Sequence, residues 1–147
     1  MYDILQKAHS GWAYLALLLL VVTLINSAMG LTSKKEFTAK DRKIALFGLI
    51  FSHIQLVLGL CLYFVSDRGF KLFELGVKEV MGMSTYRLTA VEHPVINIIA
   101  IALITIGWSK HKKAADNGAK FKSITIFYGL GLVLILSRIP WSLWFSN

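Results

Sequence analysis

His9, His53, Gln55, Glu92, His93 and Arg138 are the residues through which this sequence could do chemistry. A neutral imidazole offers a nitrogen lone pair to a metal, and two imidazoles on opposite sides of a haem iron form a bis-histidine site. A guanidinium matches a carboxylate with two parallel hydrogen bonds, so Arg138 could pair with Glu92 or hold a haem propionate. His53 and Gln55 could hydrogen-bond a quinone carbonyl. Their setting singles these residues out. All lie in or beside long apolar stretches, where an ionisable group costs several kcal/mol unless paired and usually faces the interior of a helix bundle.

Those stretches define the elements that must position the six side chains. Of 147 residues, 56% are hydrophobic, and the mean hydropathy is +0.62, more than a soluble domain normally carries. The apolar residues gather into blocks that place spans at about 9–30, 42–66, 87–109 and 123–145, the last containing Arg138. Each is close to the ~20 residues that cross a bilayer core. The expected fold is all-α: an integral membrane four-helix up-down-up-down bundle, a single domain over residues 1–147, because short connections make sequential helices antiparallel neighbours. Thr38-x-x-Asp41 reads as a cap for the second helix. The loop 67–86 is longer and mixes Phe70, Leu72 and Phe73 with charges, as in an amphipathic lid lying on the outer surface. The first span is too long for a signal core and has no basic leader, so it is expected to stay in the mature chain.

The net charge of +8 is distributed for a membrane surface and not for nucleic acid. Lys34, Lys35, Lys40, Arg42 and Lys43 fill the first connection, and Lys110, Lys112, Lys113, Lys120 and Lys122 the third. The middle loop balances Arg68, Lys71, Lys78 and Arg87 against Asp67, Glu74 and Glu79. The positive-inside rule then puts both termini and loop 67–86 outside the cytoplasm of a bacterial inner membrane. His111, among the lysines, reads as a solvated cytoplasmic residue, and Trp12, Trp108, Trp141 and Trp144 as interfacial anchors. The one cysteine, Cys61, excludes a disulfide framework and a Cys-x-x-Cys-His attachment, so any haem would be non-covalent and b-type.

Depth selects among the histidines. In a ring of four antiparallel helices the first lies diagonally opposite the third. His9 begins the first helix, and His93 lies about six residues, ~9 Å, inside the outer end of the third, so the two reach similar depth. His53 is ~18 Å deep and has no histidine opposite it on the fourth helix. His9 and His93 are therefore the expected axial ligands of haem b, with His53 and His93 as the alternative pair. Pro94 removes an amide hydrogen beside the site.

His9-Ser10-Gly11, Glu36-Phe37-Thr38 to Asp41-Arg42-Lys43, His53-x-Gln55-x-x-x-Gly59-x-x-Leu62-Tyr63-Phe64, Val91-Glu92-His93 and Ile139-Pro140-Trp141 together resemble a family of small bacterial four-helix membrane proteins usually named cytochrome b. The resemblance covers nearly the whole chain. It implies a small membrane cytochrome. The leading expectation is a subunit that passes electrons between a quinone pool and a redox partner protein, with a homo-oligomer as a further expected association. The family pattern often carries an arginine a few residues after the first His-Ser pair. This chain has Trp12-Ala13-Tyr14 there, which leaves Arg138 as the replacement. With no Gly-x-Gly-x-x-Gly signature the chain does not draw electrons from a dinucleotide unaided. Two other functions fit the same residues: a membrane oxidase or assembly factor acting on porphyrin or haem, and a cofactor-free scaffold subunit whose polar residues staple helices together.

Overall fold

The computed structural model describes residues 1–146, which are helical almost throughout and form no strand among them. Helix α1 spans Tyr2–Ser33. It ends where Lys34 turns left-handed (φ 55°) and the Lys35 N–H reaches back to Gly30 O, closing orphan carbonyls of the last turn. Helix α2 spans Ala39–Val65 and opens with a reciprocal cap: Thr38 N–H donates to Asp41 Oδ2 at 2.9 Å and Asp41 N–H to Thr38 Oγ1 at 3.5 Å. Asp41 also accepts from Lys35 Nζ at 2.9 Å and Asn26 Nδ2 at 3.0 Å, fastening the end of α1 to the start of α2.

The segment after α2 folds as a 3-10 turn at Phe70–Leu75 and two short helices, α3 (Val77–Gly82) and α4 (Ser84–Arg87). A π-turn at Leu88–Glu92 then leads without a break into α5, His93–Lys113. Pro94 has no N–H to give Ala90 O one turn earlier, the usual origin of such an irregularity. Helix α6 spans Asn117–Ser137, capped by the Asp116 side chain, which accepts from Ala119 N–H at 2.7 Å. It stops there instead of continuing to residue 145. Arg138-Ile139-Pro140 is irregular and a short helix α7, Trp141–Phe145, follows. The residue before a proline is pushed out of the helical region, so the apolar run outlasts the helix that it suggested.

The four long helices pack side by side as α1–α2–α5–α6, closing again on α1. Each neighbouring pair is antiparallel. Trp12 Nε1 donates to Phe51 O and Thr23 Oγ1 to Ile44 O across α1 and α2. A Cβ on Gly131 of α6 would sit 2.6 Å from Ile104 Cγ1 and 2.9 Å from Ala100 O of α5, so glycine alone permits that approach. The half of the ring near the lysine-rich connections is solid, filled by Leu20, Ile104, Phe121, Ile124 and Tyr128. Tyr128 Oη crosses the ring from α6 to donate to Ala45 O on α2 at 2.7 Å. Trp108 belongs to this core and is not an interfacial anchor. His111 is buried as well and not solvated: it is 2% exposed, its Nδ1 donates to Trp108 O, and its ring packs on Phe37 and Trp108. The outward surface is apolar, with Leu18, Val22, Val57, Ile98 and Val133 all exposed. All four helices are long and apolar enough to cross a membrane by length and composition.

Candidate functional site

The other half of the ring is hollow. A cavity opens there with an apolar floor of Ala16, Leu17, Leu20, Ile101 and Ile135, and with His9, Gln55, His93 and Asn97 above it. His9 comes from α1 and His93 from the start of α5, so they stand on diagonally opposed helices. Their ring centroids are 6.2 Å apart and their planes nearly perpendicular, at 85°.

Hydrogen bonds define what each imidazole offers. His93 Nδ1 lies 2.9 Å from Arg138 O, a carbonyl that only accepts, so Nδ1 carries the proton and Nε2 the lone pair. Metal-binding histidines are commonly oriented in this way, by a backbone carbonyl on the other nitrogen. Asn97, one turn after His93, donates to His93 O at 2.7 Å and steadies that turn. His9 Nδ1 is buried with no partner, and so is Gln55 Oε1. Gln55 Nε2 meanwhile donates to His9 O at 2.9 Å. Gly59 makes room for the His9 ring, since a Cβ there would come 3.0 Å from His9 Cε1.

Glu92 sits beside the site, its two oxygens 3.7 Å from Arg138 Nε and 3.9 Å from Arg87 Nε. All three side chains are partly exposed, and such pairs contribute ~0–1 kcal/mol. Arg138 was expected within the fourth span, either paired with Glu92 or holding a propionate, and the pairing is what the structure has. Because α6 ends at Ser137, it is the main-chain carbonyl that serves His93, and the guanidinium turns to Glu92. The arginine that borders the cavity is Arg68, beside Gly69.

His53 stands elsewhere. It is exposed on the outside of the ring, with Nδ1 2.8 Å from Leu49 O and Nε2 3.3 Å from Thr105 Oγ1. Of the two pairs the sequence offers, the structure brings together His9 with His93 and leaves His53 apart. His53 and Gln55 do not share a face either: two residues at ~100° each turn them far apart around α2. Arg68 was read only as a loop charge and Tyr63 only as part of a motif, and Asn97 went unread. Asn97 carried a signal, lying four residues after His93 and so on the same face.

Among the described residues no group of three or more His, Cys, Asp or Glu could hold a bare metal ion. A haem needs only two protein ligands, because the porphyrin supplies the other four. Comparison with protein families, curated proteins and solved structures gives no match.

Proposed function

We propose that this chain is a membrane-spanning b-type cytochrome that holds haem b between His9 and His93 and exchanges electrons with a membrane quinone and a redox partner protein. One observation carries the reading: two imidazoles from opposed helices line one cavity 6.2 Å apart, one with its Nδ1 proton fixed and the other with a buried nitrogen that no protein group satisfies. A buried polar atom without a partner is costly and rare, and a bound group would relieve it. Two imidazole nitrogens at about 2 Å from one metal put ring centroids about 6 Å apart, in keeping with the 6.2 Å here. The cavity measures about 210 Å³, below the ~300–1,000 Å³ of most small-molecule sites, so a tetrapyrrole would need the helices around it to part.

Haem, when bound, supplies a one-electron carrier. The chain's own residues do the rest. Arg138 O and Asn97 orient His93, Gln55 tethers the main chain at His9, the apolar floor keeps water out, and Arg68 offers a cation to propionate carboxylates. The apolar exterior supports insertion as an up-down-up-down bundle, for an exposed hydrophobic surface this continuous is foreign to soluble monomers. Lysines gathered at the solid end support an orientation with that end in the cytoplasm of a bacterial inner membrane and with both termini outside.

The absorption spectrum of protein purified mildly from haem-replete cells tests the proposal. A sharp Soret band with split visible bands on reduction is expected. Colourless protein sinks the reading and favours a scaffold, while substoichiometric, exchangeable haem favours a porphyrin-handling enzyme.

A further inference from the structure

We infer that α7 is a hinged plug in the seam between α1 and α6, closing a side portal through which the cavity takes a flat apolar ligand from the bilayer; the inference rests on the membrane-spanning reading above and not on haem. The fourth long helix stops early. Arg138 O, one residue past the end of α6, meets His93 Nδ1 at 2.9 Å. By contrast α1 begins at Tyr2, seven residues before His9, and α2 runs to Val65, six residues past the Gly59 that abuts the His9 ring. Both helices therefore reach ~10 Å further outward than the histidines. The chain turns at Ile139-Pro140, and α7 stands where further turns of α6 would have closed the ring. Its Leu143 and Trp144 line the cavity, while Trp141 and Phe145 are 40% and 64% exposed. Trp144 rests on Tyr14 of α1, with ring centroids 4.8 Å apart, and Trp141 Nε1 donates to Leu136 O in the last turn of α6. The short helix thus touches both sides of the seam.

Polar bonds fix the hinge and leave the plug free. Arg138 is held at its carbonyl by His93 and at its guanidinium by Glu92, 3.7 Å away. Beyond it, Trp141 N–H donates to Ile139 O, the Leu143 and Trp144 N–H groups to Pro140 O, and Ser146 Oγ to Leu143 O. Among the described residues no hydrogen bond ties α7 to α1, α2 or α5. A helix of five residues does not hold by itself, so apolar contact alone keeps it in place, and a segment held in this way opens at lower cost than a core. The cavity's border at Arg68 and Gly69 is laced more firmly. Tyr63 Oη donates to Ala90 O at 2.8 Å, Arg68 N–H to Ser66 Oγ at 3.1 Å, and a Cβ on Gly69 would overlap Tyr63 O. Opening there breaks hydrogen bonds, whereas swinging α7 outward breaks none to a neighbouring helix except that to Leu136 O. Ala13, Leu17, Ile135 and Ile139 flank the passage so exposed, which suits a flat apolar molecule and not a hydrated ion.

The test follows labelling of a thiol on the cavity floor, in the full chain carrying Cys61→Ser and Ala16→Cys and held in lipid nanodiscs. Monobromobimane, uncharged and soluble in the bilayer, should label that thiol, and a charged methanethiosulfonate should do so far more slowly. Trp144→Ala should speed bimane labelling about tenfold, the gain in open population when 1.4 kcal/mol of closing contact is lost, with helical content unchanged. Trp144→Phe should keep the original rate. In protein that retains Ala16, a short bis-methanethiosulfonate bridge between Tyr14→Cys and Phe145→Cys should slow uptake of protoporphyrin IX, and reduction of the bridge should restore it. The inference is overturned if Trp144→Ala leaves labelling unchanged, if the charged reagent labels as fast as bimane, or if the bridged protein takes up porphyrin undiminished. Protein that binds no porphyrin yet shows the tenfold gain in labelling removes the haem reading and keeps this one. Haem-loaded protein whose labelling ignores Trp144 does the reverse.

Discussion

Tyr63 Oη donates a 2.8 Å hydrogen bond to Ala90 O, the carbonyl for which Pro94 has no N–H. This bond ties α2 to the π-turn that aims His93 into the cavity. Tyr63→Phe removes the donor and leaves the carbonyl short of a partner, a loss of ~1 kcal/mol or somewhat more. The expected outcome is a lower melting temperature in detergent together with weaker haem retention. Unchanged values for both would show that the π-turn holds without Tyr63.

The proposed ligand pair makes the sharpest prediction. His9→Ala and His93→Ala should each abolish the low-spin spectrum, whereas His53→Ala should keep it, because His53 points out of the ring. Loss of the haem in His53→Ala with retention in His9→Ala would mean that the cavity is not the site.

Gly59 offers a steric test that leaves both histidines in place. A methyl group there meets His9 Cε1 at 3.0 Å, which a small ring shift absorbs, so Gly59→Ala should bind haem with reduced affinity. Gly59→Leu should displace the ring and prevent binding while the helical content, read by circular dichroism, stays unchanged. Full haem occupancy in Gly59→Leu would refute this placing of His9.

At the solid end Asp41 accepts from Thr38, Lys35 and Asn26 while it is 3% exposed. Asp41→Ala removes the cap and the pair together and should cost about 2 kcal/mol, the upper end for a lost cap. Thermal unfolding should register this with little change in the haem spectrum, since the residue lies at the opposite end from the cavity.

Orientation can be read by thiol labelling after Cys61→Ser. Cysteines at Ser33 and Asn117 should resist an impermeant reagent in intact cells, and one at Val77 should react. Val77 is preferable to its neighbour Gly76, whose φ of 97° strains any side chain. The opposite pattern would invert the topology.

The apolar blocks showed four long helices, and Thr38 with Asp41 showed where the second begins, because both signals are local. The meeting of His9 and His93 followed from depth along antiparallel helices, which needs only rise per residue. Facing was harder to read. In these helices the outward side is as apolar as the inward side, so no stripe tells which way His53 or Gln55 turns. Arg138 was misplaced because Ile139, Trp141 and Leu143 prolong the apolar run past a proline that ends the helix. His111 looked solvated by its lysine neighbours, yet Phe37, from a distant connection, closes over it. Such contacts are long-range and leave no mark on local composition.

The ring is unevenly filled. Tyr128, Phe121 and Ile124 fill the lysine-rich half with side chains alone. On the proposed reading the hollow half receives the haem, with Arg68 at its border. Folded, colourless protein in vesicles should therefore turn red when haem is supplied from that side, and remain pale when it is supplied only from the other.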